Sequence, residues 1–202
     1  MDEADQRLFP MSDAGCIYIG FGAESASEKT LTRMKKGGFI LKNGTEKVKV
    51  DGKIYDFPKT MTNAIRNCHS AGIHANCTWI MGYPGETLTD LKTSVAFIKW
   101  QQDIIERKEV QNNNEYTDIK SAINRAMFTA TAYPGTAMFK EPVVVNSLKK
   151  NFGITFDKNN DPICDENFYF YVSELDDATK ILNDKRGNPI NYGDMSIDYF
   201  LK

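Results

Sequence analysis

Three short glycine-containing segments carry the residues of this sequence that could bind a ligand. In residues 20–25, GFGAES, Gly20 and Gly22 would let the backbone approach a ligand, and Glu24 could accept hydrogen bonds from an amino or hydroxyl group. A tight turn with a solvated carboxylate is the alternative. We favour the ligand-binding interpretation because a glutamate at the end of a barrel strand faces the ligand-binding rim. Ser25 stands where a dinucleotide-binding GxGxxG motif has its third glycine, so that motif is absent.

The second and third segments are residues 82–87, GYPGET, and residues 133–136, YPGT. Glycine and proline shape both loops, and turn geometry explains them as well as a pocket wall does. Glu86 stands at the start of a predicted helix, where the helix dipole favours a carboxylate. Its role could therefore be helix capping alone.

Histidine and cysteine patterns do not indicate a metal site or a nucleophilic triad. The two histidines, His69 and His74, are five residues apart and lack a metal-ligand spacing. The cysteines form no CxxC pair, which predicts reduced thiols, three of them in the core. No HExxH, Walker or Ser-His-Asp pattern is present. The four cysteines are Cys16, Cys68, Cys77 and Cys164.

The composition argues against several classes of protein. The 202 residues include 25 Lys and Arg against 27 Asp and Glu, a net charge of −2, which argues against a strongly basic nucleic-acid-binding protein. The apolar runs are far shorter than a membrane span needs, and the acidic N-terminal residues are not a secretory signal. We therefore expect a cytoplasmic protein without a membrane span, and nothing in the composition indicates a nucleic-acid partner.

Each glycine segment follows or ends an apolar run, and each run precedes a helix candidate. The runs are residues 16–19, 75–81 and 126–132, which predict strands buried on both faces of a parallel sheet. The carboxyl ends of such strands would share one rim, where ligands bind. Two apolar stripes predict the flanking helices: Met61, Ala64, Ile65 and Cys68 before Gly72, and Leu91, Val95 and Ile98 after Thr87.

Other stretches depart from this repeat. Residues 37–58 contain Asn43-Gly44 and Asp51-Gly52, which predict an inserted β-hairpin, and residues 105–120 read as an exposed helix end and loop. Pro142 interrupts a less regular segment, and an aromatic run at 168–171 predicts a strand or a helix start. Leu175, Ala178 and Leu182 then predict a helix.

Taken in order and spacing, the three segments resemble a known family. Residues 14–27 look like the fourth-strand region of radical S-adenosylmethionine enzymes, residues 80–87 like the fifth, and residues 132–136 like the sixth. The pattern is closest to the branch that carries an N-terminal cobalamin-binding domain. The resemblance covers roughly residues 8–150.

The resemblance implies a fold and a chemistry. A [4Fe–4S] cluster held by a CxxxCxxC loop would reduce S-adenosylmethionine to a deoxyadenosyl radical, and the protein would position the cofactor. By resemblance, Glu24 and Ser25 would contact the amino-acid or ribose part of S-adenosylmethionine. The strand near Ile80 would approach the adenine. The implied cofactor contacts are Gly20, Gly22, Glu24, Ser25, Ile80, Gly82 and Tyr83, and the implied substrate pocket is Glu86, Tyr133 and Pro134.

The sequence also departs from the family pattern. It contains no CxxxCxxC, and in the family's GxIxGxxE pattern Thr78 replaces the glycine and Gly85 the glutamate. We therefore expect an α/β chain: a partial (β/α) TIM-type barrel of about three parallel units over residues 1–150, with a hairpin at 37–58 and an α-rich extension at 151–202. The unpaired first edge of the sheet suggests a fragment or one piece of an assembly.

Such a chain would not be catalytic alone. S-adenosylmethionine is the expected cofactor, and the cluster and cobalamin belong only to a complete protein, whose missing N-terminal half or another subunit would be the partner. The substrate is an unidentified small molecule. Two alternatives stay open: a non-catalytic half-barrel that stabilises a partner, and an independent phosphate- or nucleotide-binding α/β domain.

Overall fold

The computed structural model of the chain describes residues 3–112, 126–177, 180–196 and 198. It has a mixed α/β fold with two compact units. The first unit comprises Met1–Trp79 and Thr89–Met127, and the second comprises Ile80–Leu88 and Phe128–Lys202. In chain order the elements are α1 (Glu3–Asp13), β1 (Tyr18–Glu24), α2 (Glu28–Arg33), α3 (Gly37–Ile40), β2 (Thr45–Val50), β3 (Lys53–Pro58), α4 (Lys59–Ser70), β4 (His74–Met81), α5 (Leu88–Asn112), β5 (Met127–Thr129), a 3₁₀ turn (Met138–Lys140), α6 (Pro142–Phe152) and α7 (Glu166–Glu174).

Among the described residues, three strands form one parallel sheet in the order β1-β4-β5. The parallel pairing predicted from the apolar runs is therefore confirmed. β4 is the central strand and its residues are largely buried, as expected for a strand with neighbours on both sides. These three strands do not show a closed barrel, so the TIM-type barrel stays a prediction.

The prediction for β1 was wrong in two respects. The strand begins at Tyr18 and includes Gly20 and Gly22, which were expected in the loop that follows it. It is also not buried on both faces: Ile17 and Tyr18 are 73% and 52% exposed, and alternate residues of the strand face outward. The physical reason is that β1 is an edge strand, with a described neighbour only on its β4 side.

β2 and β3 form an antiparallel hairpin within residues 37–58. Its turn is Asp51-Gly52, where both residues have positive φ, 48° and 79°, as a two-residue type I′ turn requires. Asn43-Gly44, the other predicted turn, precedes β2. The hairpin contributes Val50 and Phe57 to the core of the first unit.

α4 buries the stripe that the sequence predicts, with Ile65 and Cys68 inside the core. The helix predicted after Thr87 forms as α5, and Ile98 of the predicted stripe packs against the core. The stripe was wrong at Val95, which is 40% exposed, and the most buried face is rotated by about one residue. Aromatic side chains occupy that face, and the rings of Phe97 and Trp100 lie 5.0 Å apart. Three residues of this buried face are polar. A prediction based on the spacing of apolar residues could not include them. These polar residues are Asp90, Ser94 and Gln101.

The second unit has its own core, built from the 3₁₀ turn, α6, α7 and the segment near residue 190. Pro142 does not interrupt structure but begins α6, since a proline in the first helical turn needs no N–H partner. The aromatic run belongs to α7, which Asp165 caps by accepting a hydrogen bond from Phe168 N at 3.0 Å.

In the segment 175–182, which was predicted to be helical, the described residues 175–177 and 180–182 are not in a helix. α7 ends at Glu174, and Leu182 lies in an irregular segment beside an isolated bridge at Asn183; Ala178 lies outside the described residues, as do residues 113–120 of the predicted exposed loop. Within the described parts of the chain, none of the helices combines the length and apolar character needed to cross a bilayer.

Candidate functional site

Glu24 occupies a strained position at the end of β1. A β-bulge interrupts the pairing of β1 with β4 between Gly22 and Glu24, and Glu24 has a φ of +62°, in the left-handed region. Its carboxylate forms an ion pair with the ammonium of Lys36 and is largely shielded, with 14% of the side chain exposed. Bulge and backbone strain together direct this carboxylate to a fixed place.

Gly22 makes room for that carboxylate. A Cβ placed on Gly22 would lie 2.8 Å from Glu24 Oε1, closer than real Cβ contacts allow. A Cβ on Gly20 would lie 3.3 Å from the hydroxyl of Tyr18. The two glycines therefore leave space for polar side chains of their own strand.

The same face of the sheet continues onto β4. Gly20 pairs with Asn76 and Gly22 with Thr78, so these four residues share one face. Asn76 Nδ2 donates to Tyr18 Oη at 3.0 Å, while Asn76 Oδ1 is buried and has no hydrogen-bond partner in the described part of the structure. This face presents a carboxylate, an ammonium and a phenol, and the buried, unpartnered amide oxygen of Asn76 lies beside the phenol.

The loop after β1 is held by buried hydroxyls. Ser25 is fully buried, and its Oγ lies 3.2 Å from Ser94 Oγ and accepts a hydrogen bond from Ser27 N at 3.1 Å. Ser94 also accepts from Ala26 N at 3.0 Å. The predicted contact of Ser25 with a cofactor stays a prediction, and the hydroxyl is already engaged inside the protein.

In the second unit, the segment after β4 is a compact turn closed by Glu86. Glu86 is fully buried, and its Oε2 accepts a hydrogen bond from Gly82 N at 2.7 Å. Gly82 and Gly85 have positive φ, 78° and 74°, which explains why the turn uses glycine there. The geometry gives Glu86 a part in shaping the loop.

The C-terminal segment binds this turn through its backbone. Tyr192 N donates to Gly82 O at 3.0 Å and Asp194 N donates to Glu86 O at 2.7 Å. Gly193 lies between them, where a Cβ would be 2.9 Å from Glu86 O. The loop from Gly82 to Glu86 is therefore built from two distant parts of the sequence.

The other predicted site residues of the second unit differ in how deeply they are buried. Ile80 and Tyr83 pack against its core, and burial, with a smaller effect of the Glu141 carboxylate, raises the pKa of Tyr83. Tyr133 is 40% exposed and Pro134 half-buried, in a turn where Thr136 Oγ1 donates to Tyr133 O at 2.7 Å.

Glu24 lies in the first unit, and the loops at Gly82 and Tyr133 lie in the second. The rim that they were expected to share stays a prediction.

The four thiols lie in different environments. Burial raises the pKa of Cys68 to about 11 and that of Cys77 to about 12, so both stay protonated near neutral pH. Cys164 is exposed and Cys16 is half-buried. No group of three His, Cys, Asp or Glu side chains in the described residues could hold a metal ion.

Sequence reasoning missed several residues of the polar face and its support. Lys36 and Tyr18 gave no signal, because lysines and tyrosines near strand ends are common. Asn76 did give a signal, because it is an amide in a mostly apolar strand run. Buried Asp90 and Ser94 could have been suspected as polar residues four apart on a helix that must pack on a sheet.

Comparison with known proteins gives one distant similarity. The chain is 28% identical over 139 residues to a protein of Pyrococcus horikoshii described as an uncharacterized methyltransferase. The match covers 68% of this chain but 22% of that protein. No protein-family model matches. The chain is thus similar to about a fifth of a longer protein whose description names methyl transfer.

Proposed function

We propose that this chain supplies the S-adenosylmethionine-facing strands of a radical S-adenosylmethionine enzyme. The sequence resemblance of the three glycine segments and the polar face of the β1–β4 sheet support the proposal. The distant similarity to an uncharacterized methyltransferase supports its S-adenosylmethionine-binding part. The strands would form part of a TIM-type barrel. The remaining strands would come from an N-terminal half or another subunit.

The Glu24–Lys36 pair is the observation that carries the proposal. The methionyl part of S-adenosylmethionine bears an ammonium and a carboxylate, and this pair offers one complementary charge to each. Because backbone strain and the glycine beneath it hold Glu24 in place, little ordering entropy is lost on binding. Asn76 Oδ1 adds an acceptor for a hydroxyl or amino group two positions along the same face.

The described residues do not fit an iron–sulfur cluster. Cluster ligation requires three thiolates in one place, and two of the four thiols are buried with raised pKa values. In the proposed assembly, both the cluster and any cobalamin would be held by residues outside this chain. The role of this chain is to orient the cofactor's amino-acid and nucleoside parts and to exclude water.

Calorimetric titration of the full chain tests the proposal. S-adenosylmethionine and S-adenosylhomocysteine should bind, and 5′-methylthioadenosine, which lacks the amino-acid moiety, should bind at least about tenfold more weakly. Glu24→Gln should weaken S-adenosylmethionine binding by about tenfold, as expected for one charge-assisted hydrogen bond. Asp56→Asn, which removes an exposed carboxylate from the hairpin, is the matched control and should bind as the wild type does.

Two results would contradict the proposal. One is equal affinity of the Glu24→Gln and Asp56→Asn variants. The other is tight binding of a nucleoside triphosphate without a response to S-adenosylmethionine, which would favour the independent nucleotide-binding alternative. A chain that binds none of these ligands but associates with a partner half would support the non-catalytic alternative.

A further inference from the structure

The first unit contains a second candidate site, a cavity of about 450 Å³. It lies between the face of the sheet that carries Phe21 and Cys77 and the helices α3, α4 and α5. The cavity is open to solvent on one side, and its volume falls within the range of small-molecule pockets. Its apolar walls are Phe21, Ala23, Ile40, Met61, Ala64, Ile65, Cys77 and Phe97.

The polar groups at this cavity are mostly cationic. Lys35 and Lys36 both line it, and Lys36 is paired with Glu24. The ammonium of Lys35 makes no ion pair or hydrogen bond within the described residues, and its backbone has a positive φ of 57°. Lys35 therefore contributes a positive charge that no described protein carboxylate balances.

An exposed aromatic side chain stands at the same place. Phe39 lines the cavity and is 68% exposed, so its ring is available at the cavity mouth. The ammonium of Lys42 lies 4.6 Å from the centre of its ring. An apolar interior, an aromatic edge and surplus positive charge complement a molecule with an apolar body and an anionic head.

We infer that this cavity binds an anionic amphiphile, an acyl or aryl carboxylate whose apolar part enters the pocket and whose carboxylate meets Lys35. The cavity adjoins the Glu24–Lys36 pair, since Gly22 and Lys36 are among its lining residues. The inference does not rest on the proposed function, because the residue that meets the carboxylate is Lys35. It predicts a binding preference set by head-group charge at constant chain length.

The two tryptophans of the chain give a direct readout. The ring of Phe97, in the cavity wall, lies 5.5 Å from Trp79 and 5.0 Å from Trp100. Decanoate, decanol and decyltrimethylammonium, each below its micelle-forming concentration, should be titrated into the full chain while tryptophan emission is recorded. Decanoate should saturate with one site per chain, decanol should bind about fivefold more weakly, and the cation should bind least.

Two variants separate the charge from the cavity. Lys35→Gln should weaken decanoate binding about fivefold and leave decanol binding unchanged. Lys29→Gln, at an exposed position of α2 outside the cavity, should change neither. Ala64→Phe should fill the cavity and weaken both ligands about tenfold or more. Circular dichroism melting checks that each variant is folded. If Ala64→Phe does not fold, the smaller substitution Ala64→Leu takes its place.

Each result bears on the inference. Saturable decanoate binding that Lys35→Gln weakens supports it. Equal affinity for decanoate and decanol would overturn the assignment of an anionic head, and absence of saturable binding to all three probes would overturn the site.

Discussion

Ser27 donates a hydrogen bond of 2.6 Å to the carboxylate of Asp90, and both side chains are buried. The two residues are 63 positions apart in sequence. Ser27 is also the N-cap of α2, where its hydroxyl accepts from Thr30 N. One hydroxyl therefore ties α2 to α5 and fixes the loop that follows Glu24.

Replacing Asp90 by alanine should destabilise the protein by about 2 kcal/mol, because it leaves the buried Ser27 hydroxyl without its acceptor. The measurement is the free energy of unfolding in urea. Asp103→Ala, at an exposed position of the same helix, should change it by no more than about 0.5 kcal/mol. Equal stability of the two variants would show that the Ser27–Asp90 bond contributes nothing to folding.

Two substitutions of Glu24 separate backbone strain from side-chain chemistry. Glu24→Gly and Glu24→Ala both remove the carboxylate, but only glycine relieves the positive φ of 62°. The glycine variant should be more stable than the alanine variant by about 1 kcal/mol in urea denaturation. A more stable alanine variant would mean that residue 24 does not keep its left-handed conformation in solution.

Cysteine labelling should distinguish exposed from core thiols. At pH 8, a pKa of about 11 leaves about one in a thousand of the Cys68 thiols ionised, and a pKa of about 12 leaves even fewer at Cys77. Iodoacetamide followed by peptide mass mapping should therefore modify Cys164 first and the two core thiols only in denaturant. Cys164→Ser should lose the fast reaction, and rapid labelling of Cys77 in the native protein would contradict the buried position of β4.

Gly193→Ala should destabilise the second unit, because the added Cβ would lie 2.9 Å from the backbone oxygen of Glu86. We expect a loss of about 1–3 kcal/mol, measured by thermal or urea unfolding. Gly38→Ala is the matched control, since a Cβ there meets nothing within 4 Å and its φ is ordinary. A Gly193→Ala variant as stable as Gly38→Ala would show that the C-terminal segment does not hold the Gly82–Glu86 turn so closely.

Apolar periodicity was sufficient to predict the parts of the fold whose buried residues are apolar. The stripe on α4 and the apolar run of β4 are of this kind, and the Asp51-Gly52 turn was visible because few residues tolerate its backbone angles. The buried face of α5 was not predictable in this way. Its polar members are buried because partners from distant segments satisfy them, and those partners are known only after folding.

The candidate site shows the same division. Glu24 and its glycines could be singled out from residue type and spacing, whereas Lys36 reaches Glu24 only because a bulge turns the strand end. Pro142 was misread for a different reason. A proline both ends and begins helices, and only the residues before it, here an isolated 3₁₀ turn, decide which.

Gln101 donates a hydrogen bond of 2.7 Å from its buried amide to the backbone oxygen of Ala75, in the central strand. Apolar side chains can slide past one another at modest cost, but this bond is satisfied at a single axial position of α5. A shift of the helix by one turn would leave both the amide and the carbonyl without partners in a dry interior. Gln101 thus fixes the axial position of α5 against the sheet. Asp90 and Ser94, at the start of that helix, are thereby placed to bond the loop that contains Ala26 and Ser27.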